Sequence, residues 1–479
     1  MEIRKVNEEQ ESLSVHEKQE GFLARMGISL ANWSEKWFPD AYIFAAVAVV
    51  LIAIIALLMG RTPVEIGVDF GTHYWDLIPF TMQMAFIIIT GYVVASSKPV
   101  HQLIAKLAEI PKTGKGAVAF VAFFSMFTSL ISWGFSLVFS GILIKEISSR
   151  VKGVDYRAMG AAGFLGLGSV WALGLSSSAA LLMATKASIP ADLYKISGTI
   201  SMSQTIFTWQ NFVLIVVLIA LSVWIAFVSA PNKEKAKTAE MAGIDYGRIG
   251  TVEEKKKAQR PGEWLEYSPL LNLLLVAVGF IYIIHVISKT GAIAALNLNN
   301  YNFMLLMIGL LLHWTPRNFL NSVSNSVPAI GGVLIQFPLY AGIFGILMNS
   351  GLNDVLVKFF LSISTENTFP LVAGVYSAIL GLFLPSGGGK WIVEAPYLLE
   401  AAKELNVSMA WVVQVYNASE ALPNMVNPFF MLPLLGVLGV KAKDLAGYSM
   451  LQLIFHAPVV LFLLWILAKT MPYVAPIFE

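Results

Sequence analysis

Long apolar blocks separated by short polar segments run through this chain, and their spacing sets the expected architecture. About 20 apolar residues cross a bilayer as a helix. Blocks of that order cover 41–60, 77–96, 157–187, 209–229, 267–288, 301–314, 319–350, 408–440 and 450–469. Two of them, 157–187 and 408–440, are broken, and 319–350 is long and carries Pro328 and Gly331-Gly332. The pattern has a helical period instead of strand alternation. It predicts an all-α polytopic membrane protein and argues against a β-barrel. Two further pairs of apolar arms, 116–147 and 369–405, fit no simple crossing. Each arm holds about 10 to 16 apolar residues, short for a bilayer, so the pairs are read as re-entrant hairpins.

The two hairpins break at similar places. The first ends its leading arm in Ser132-Trp133-Gly134-Phe135-Ser136, the second in Pro385-Ser386-Gly387-Gly388-Gly389-Lys390. Unpaired peptide groups in lipid cost about several kcal/mol each, so such breaks persist only where protein buries them or a wet cavity receives them. Each hairpin is followed by a second break: Gly174-Leu175-Ser176-Ser177-Ser178 in the first half, and the stretch from Asn417 to Pro428 in the second. Ser132 and Gly174 lie 42 residues apart, Ser386 and Asn424 38 apart. The matched spacing predicts four breaks meeting near one point in the midplane. Half-helix N-termini there present free N–H groups to an anion, and opposing carbonyls can hold a cation.

Charge placement gives an orientation. With the N-terminus in the cytoplasm, 24 of the 32 Lys and Arg fall in cytoplasmic segments and 8 elsewhere, as the positive-inside rule requires. Full crossings in place of hairpins would give the same count. Two spans, a hairpin and two spans make the first half; one span crosses alone; the same set follows. An odd connector inverts the second half, so the expected fold is an inverted-repeat transporter with about nine spans plus two re-entrant hairpins. Its units are a cytoplasmic segment 1–40, a first repeat 41–229 with hairpin 116–147, a cytoplasmic linker 230–266, a connecting span 267–288, and a second repeat 301–479 with hairpin 369–405. The run Lys255-Lys256-Lys257 in the linker reads as a solvated, orientation-setting segment. In the first unit Phe22, Met26, Leu30, Trp33 and Trp37 recur at spacings of 4, 4, 3 and 4. That is one face of a helix at the cytoplasmic interface, with a solvated tail helix as the plainer alternative.

Composition narrows the class further. The chain is 57% hydrophobic and 13% charged, against about 25% charged in soluble domains. A net charge of +2 with basic residues confined to loops gives no nucleic-acid signal. The absence of cysteine removes disulfides, thiol nucleophiles and cysteine metal sites. No cleavable signal peptide is read. No HExxH, P-loop or GxSxG pattern occurs, so neither an enzyme, a cofactor nor a metal is expected.

The candidate substrate-binding residues lie at the breaks: Ser132, Trp133, Gly134, Ser136, Ser176, Ser177, Ser386, Gly387, Gly388, Gly389, Lys390, Asn424 and Asn427. Ser125, Ser129, Ser132, Ser136 and Ser140 would share one face of a continuous helix. They form either a hydroxyl track or a small-residue packing surface, and packing is the better account of the stripe as a whole. Lys390 offers a positive charge to a carboxylate if it sits at the hairpin tip; the alternative is a lysine snorkelling from the stem. Glu394, one turn on, is placed to pair with Lys390 or to carry a proton or ion, and Glu420 is an equal candidate for coupling. Asn424 and Asn427, flanked by Pro423 and Pro428, can both donate and accept where proline has freed carbonyls. His285, His313 and His456 are read as helix–helix hydrogen-bond partners more readily than as a proton relay.

The segments Pro385-Ser386-Gly387-Gly388-Gly389-Lys390-Trp391, Asn417 to Pro428, and Ser132-Trp133-Gly134-Phe135 closely resemble the short-chain fatty acid transporter family (AtoE type). The resemblance covers almost the whole chain; the Ser-Trp-Gly hairpin recurs more widely among ion transporters. It implies a multi-pass carrier of the bacterial inner membrane for small monocarboxylates such as butyrate or acetoacetate. By analogy with the wider superfamily it implies hairpin-tipped transport and scaffold domains, elevator-like motion and a homodimer. The coupling ion stays open between proton and sodium. The competing readings are a carrier of another organic anion, such as a dicarboxylate or an amino-acid conjugate, and an anion channel. A dicarboxylate would ask for a second fixed cation, and only Lys390 lies near a break.

Overall fold

The computed structural model describes residues 41–244 and 259–478, together with Ser29, Trp33, Lys36 and Trp37. Among these residues the regular structure is helical, apart from one isolated bridge between Gly198 and Ile477. The first half contains α1 (Ala41–Leu58), the short α2 (Pro63–His73), α3 (Ile78–Ala95) and α4 (Lys98–Leu107). Next come α5 (Gly114–Ile131) and α6 (Trp133–Arg150), which pack on each other as a helical hairpin. Then α7 (Tyr156–Leu165) loosens into a π-helical stretch, Gly166–Val170, and a 3-10 turn, Trp171–Leu173, before α8 (Ser178–Met183). The half closes with α9 (Ala191–Ser197) and α10 (Trp209–Ser229).

After α11 (Pro261–Tyr267) and the isolated α12 (Leu270–Thr290), the second half runs through α13 (Leu298–His313), α14 (Pro316–Ser326), α15 (Gly331–Asn349) and α16 (Leu352–Ile363). Its hairpin is α17 (Phe369–Phe383) with α18 (Gly387–Glu404), followed by α19 (Met409–Asn424), α20 (Pro428–Leu438) and α21 (Ala442–Ala468).

Local chemistry explains the boundaries. Asp155 caps α7 by accepting from the N–H groups of Arg157 and Ala158 at 3.1 and 2.9 Å, relieving donors that the first turn leaves unpaired. The same carboxylate accepts from the Lys237 backbone N–H at 3.0 Å, and Tyr156 N–H donates to the Lys237 carbonyl at 2.8 Å. The start of the linker is thereby tied to the α6–α7 corner. Trp314 takes a left-handed φ of 66° just before Thr315-Pro316, a conformation costly for a bulky residue. It reverses the chain between α13 and α14.

In lipid there is little hydrophobic drive between helices, so close approach through small residues does the work. A methyl group added at Gly141 would lie 2.6 Å from Val437, and one at Gly160 3.2 Å from Leu445. The α6–α7 layer therefore fits directly against α20 and α21 of the other half. On the opposite side, α3 packs on α6, α13 and α15, while α1 and α2 pack on α15.

Seven helical stretches among the described residues are long and apolar enough to cross a membrane: 78–95, 114–131, 156–183, 209–229, 270–290, 316–349 and 442–468. The chain is a polytopic all-helical membrane protein. The apolar blocks read from the sequence all become helices, but the first hairpin is larger than expected. It spans Gly114–Arg150, not 116–147, and each arm has 18 residues, about 27 Å of helix. The expectation of arms too short to cross therefore does not hold for α5. The block 319–350 begins instead with a polar helix, α14, and turns through Val327–Ile330 into α15. Short helices α2, α4, α9 and α16 lie between the blocks, where the apolar pattern gave no element. Of the N-terminal stripe, Trp33 and Trp37 are helical and exposed; Phe22, Met26, Leu30 and the lysine run 255–257 lie outside the described residues.

Candidate functional site

The two hairpin tips are built alike. Ser132 ends α5 and caps α6 in an extended conformation, φ −155° and ψ 126°, accepting from Phe135 N–H. Ser386 caps α18 with φ −153° and ψ 106°, accepting from Gly389 N–H at 3.2 Å. Each hairpin thus turns on a serine whose hydroxyl replaces the missing helical acceptor.

The four breaks form one connected cluster. At the first tip, Trp133 N–H donates to Ser176 Oγ at 3.0 Å, and Leu175 N–H donates to the Leu130 carbonyl at 2.7 Å. The break after α7 is therefore docked on the end of α5. The Ile131 carbonyl, orphaned by the end of the helix, accepts from Tyr301 of α13 at 2.6 Å. The break reaches the second half through Ser177, which caps α8 and donates to Asn417 of α19 at 3.1 Å. Asn424 Nδ2, at the end of α19, donates to the Leu167 carbonyl of the π-helical stretch at 3.2 Å. A π turn frees carbonyls that a regular helix would use internally. Asn211 of α10 meets another freed carbonyl, that of Leu173, at 2.9 Å.

The second tip touches the first-half break through Trp171. A methyl group at Gly387 would stand 2.6 Å from its indole ring and 3.4 Å from Glu420 Oε1. Gly388 faces the rings of Phe80 and Phe337, and Gly389 faces Tyr340. Three consecutive glycines are needed because three aromatic walls close on the backbone of α18. Trp133 and Trp171 meet edge to face with centroids 6.4 Å apart, and Phe80 stacks on Phe337 at 5.5 Å.

The charged residues lie on the protein side of this tip. Lys390 is completely buried. Its Nζ donates to the Ser377 carbonyl and hydroxyl at 2.8 and 2.9 Å, lies 3.3 Å from Glu394 Oε1, and stands 4.5 Å from the centre of the Tyr416 ring. The lysine neither snorkels nor projects from the tip: it joins α17, α18 and α19 internally. Tyr416 donates to the Gly387 carbonyl at 2.5 Å. Glu420, one turn after Tyr416, is also fully buried, and its Oε2 has no hydrogen-bond partner. Buried donors there also lack a partner: the Tyr340 hydroxyl, Trp171 Nε1 and Trp391 Nε1. Buried polar atoms without partners are exceptional.

The serine stripe is used for packing. Ser125 donates to the Ala162 carbonyl at 2.8 Å, Ser129 to the Met126 carbonyl at 2.8 Å, and Ser136 to the Ser125 carbonyl at 2.6 Å, which clamps the two arms together. Gly134 packs against the α3 backbone near Ile87 and Ile88. Asn427 is buried at the α19–α20 break, where its N–H donates to the Pro423 carbonyl at 3.0 Å. Among the histidines, His313 Nε2 meets the Val93 carbonyl at 2.7 Å and His456 Nε2 meets Ser222 at 2.8 Å, both contacts between helices; His285 is exposed on α12. Among the described residues no cluster of His, Asp or Glu is arranged to hold a metal. Sequence reading missed Tyr301, Tyr340 and Trp171; the only available signal was an indole N–H inside an apolar block three residues before Gly174.

The model of the short chain fatty acid transporter family matches residues 22–467. The chain belongs to that family. Two members show its reach. A protein of Escherichia coli (strain K12), provisionally named a short-chain fatty acid transporter, is 33% identical over 438 residues, 90% of this chain and 97% of its own. A protein of the same provisional name in Haemophilus influenzae is 31% identical over 446 residues, 91% and 98% of the two chains. The fold is shared with more distant transporters. The Alcanivorax borkumensis YdaH transporter superposes with a TM-score of 0.59 at 15% identity, covering 91% of this chain and 100% of that one. Neisseria gonorrhoeae MtrF, from a class of antimetabolite efflux pumps, gives 0.60 at 12% identity, covering 94% and 100%.

Proposed function

We propose that this protein is a secondary transporter of short-chain monocarboxylates, butyrate- or acetoacetate-like, across the bacterial cytoplasmic membrane. The observation that carries the reading is the N-terminus of α18, where Gly387 packs on the Trp171 ring and Gly389 on the Tyr340 ring, while Trp171 Nε1 and the Tyr340 hydroxyl have no hydrogen-bond partner. A helix N-terminus with additional donors suits one carboxylate. The rings of Trp133, Trp171, Phe80 and Phe337 suit a small aliphatic tail. Lys390 acts one step behind, neutralising Glu394 and fixing α18 against α17. A dicarboxylate fits less well, since the single buried lysine at the breaks already faces Glu394 at 3.3 Å.

In this reading the two hairpins are re-entrant elements of inverted repeats, the N-terminus is cytoplasmic, and the hairpins move elevator-like against a scaffold in a homodimer. The matched serine caps at Ser132 and Ser386 support the repeat. Transport is ion-coupled, with proton or sodium as the coupling ion and Glu394 and Glu420 as its candidate carriers. The test is saturable counterflow of labelled butyrate in proteoliposomes, followed by competition with longer acids, dicarboxylates and amino-acid conjugates. Counterflow inhibited by short monocarboxylates is the expected result. Ion flux without counterflow would make the protein a channel.

A further inference from the structure

Glu420 stands where the substrate carboxylate is expected. Its Oε1 lies 3.4 Å from the position of a Gly387 methyl group, and its Oε2 has no partner although the side chain is buried. The nearby charges are Lys390 and Glu394. Lys390 already has two Ser377 oxygens and Glu394 around it. The site therefore holds one ammonium and two carboxyl groups, with one negative charge in excess when both are ionised. Adding a substrate anion would bring a second unbalanced charge into a low-dielectric interior, which is prohibitive.

Resting on the carboxylate reading above, we propose that Glu420 is a built-in competitor for the substrate. Ionised, it stands beside the α18 N-terminus and its charge keeps a second anion out; with one proton bound, it admits one substrate carboxylate there. The charge of the site is then the same empty and loaded, so transport is electroneutral, one proton for each carboxylate. The proton binds a Glu420 carboxylate oxygen on one side of the membrane and leaves it on the other after substrate release.

A proton suits this place better than sodium. The Lys390 ammonium, held by Ser377 and Glu394, repels a second fixed cation beside it. The titratable groups around the carboxylate are few. Lys390 and Glu394 face it from α18, Tyr416 precedes it by one turn on α19, and Tyr340 comes from α15. Tyr376 of α17 and Tyr397 of α18 face Glu394 and bond to each other at 2.9 Å. His456 on α21 turns instead to Ser169, Ser222 and the Gln452 carbonyl.

The experiment compares wild type and Glu420→Gln in proteoliposomes. Every rate is taken as the excess over empty vesicles, because uncharged butyric acid crosses lipid unaided. Wild type should accumulate butyrate under a pH gradient, be indifferent to a potassium–valinomycin potential, and show a counterflow KM that rises with pH at constant maximal rate. Glu420→Gln, its fold certified by elution as a single species and an unchanged melting temperature, should show a counterflow KM that no longer depends on pH. It should lose pH-driven accumulation and become sensitive to the potential, since the anion now travels without its proton.

The inference is overturned by potential-driven or sodium-driven uptake in wild type, by a flat wild-type KM, or by pH-driven accumulation surviving in Glu420→Gln. The KM arm needs only wild type and decides the matter if the variant fails to fold. Absence of wild-type counterflow is a different result: it removes the carboxylate reading itself, and this inference with it.

Discussion

The two hairpin tips share a backbone device and differ in everything attached to it. At the first, Ser132 turns the chain, and the groups freed by the turn find partners: Trp133 N–H on Ser176, the Leu130 carbonyl on Leu175, the Ile131 carbonyl on Tyr301. No charge is present. At the second, Ser386 turns the chain in nearly the same conformation. Around it stand a buried lysine, two buried carboxyl groups, and donors on Tyr340 and Trp171 that bond nothing. A satisfied polar tip is a rigid packing element, whereas an unsatisfied one costs stability and is tolerated where a ligand repays it. In the proposed function the first tip is therefore the latch and the second the working surface.

Charge removal should separate the tips most strongly. Lys390→Ala strips Glu394 and Glu420 of their buried counter-charge, and breaking a buried pair from one side costs about 3–5 kcal/mol. The variant is expected to lose thermal stability in detergent and most of its monodisperse yield, so its transport defect would not by itself report on substrate contact. At the first tip, Ser132→Ala removes a cap worth about 1 kcal/mol, and that protein should fold. A Lys390→Ala melt equal to wild type would mean that Glu394 carries no charge in the folded protein.

Glycine replacement gives the next contrast. At Gly387 a methyl group meets the Trp171 ring at 2.6 Å, while at Gly134 the nearest atom is the Ile87 carbonyl at an ordinary 3.4 Å. Overpacking a tight site costs about 1–3 kcal/mol. Gly387→Ala should displace the indole and abolish counterflow in protein that still elutes as a single species, and Gly134→Ala should transport. Comparable activity in both would show that Trp171 moves freely and is no wall of the site.

Much of this contrast was legible in the sequence, because lipid punishes open backbone so heavily that breaks in apolar runs announce themselves. The four breaks and the i, i+4 pairing of Lys390 with Glu394 follow from local pattern; that Ser132 and Ser386 cap the helices after them was not read there. What local pattern could not supply is what a break faces. Ser136 and Lys390 looked like ligands for a substrate, but their partners, the Ser125 carbonyl and Ser377, lie across their own hairpins. Tyr301 and Tyr340 carry no sign of function in their own segments. Tyr301 meets a carbonyl 170 positions away in the chain, a relation that only the packing of α13 against the first hairpin creates. The helix lengths of the first hairpin were also hidden, since Lys115 and the polar end of α6 lie outside its apolar run while still being helical.

The two tyrosines give the finest comparison, because the same chemical change should act in opposite ways. Tyr301→Phe leaves the Ile131 carbonyl buried without its donor, a loss of about 1–3 kcal/mol that should appear as a lower melting temperature. The substrate KM should hold, since Tyr301 acts on the latch. Tyr340→Phe deletes a hydroxyl whose polar neighbour is Ser386 and which makes no close hydrogen bond, so the melting temperature should change little. If that hydroxyl donates to a bound carboxylate, its removal forfeits about 1.5–3 kcal/mol of a hydrogen bond to a charged group, on the order of tenfold or more in KM. The crossed pattern is the signature of a latch and a working surface. If Tyr340→Phe lowers the melting temperature with KM unchanged, the hydroxyl is structural and the carboxylate lies elsewhere at the tip.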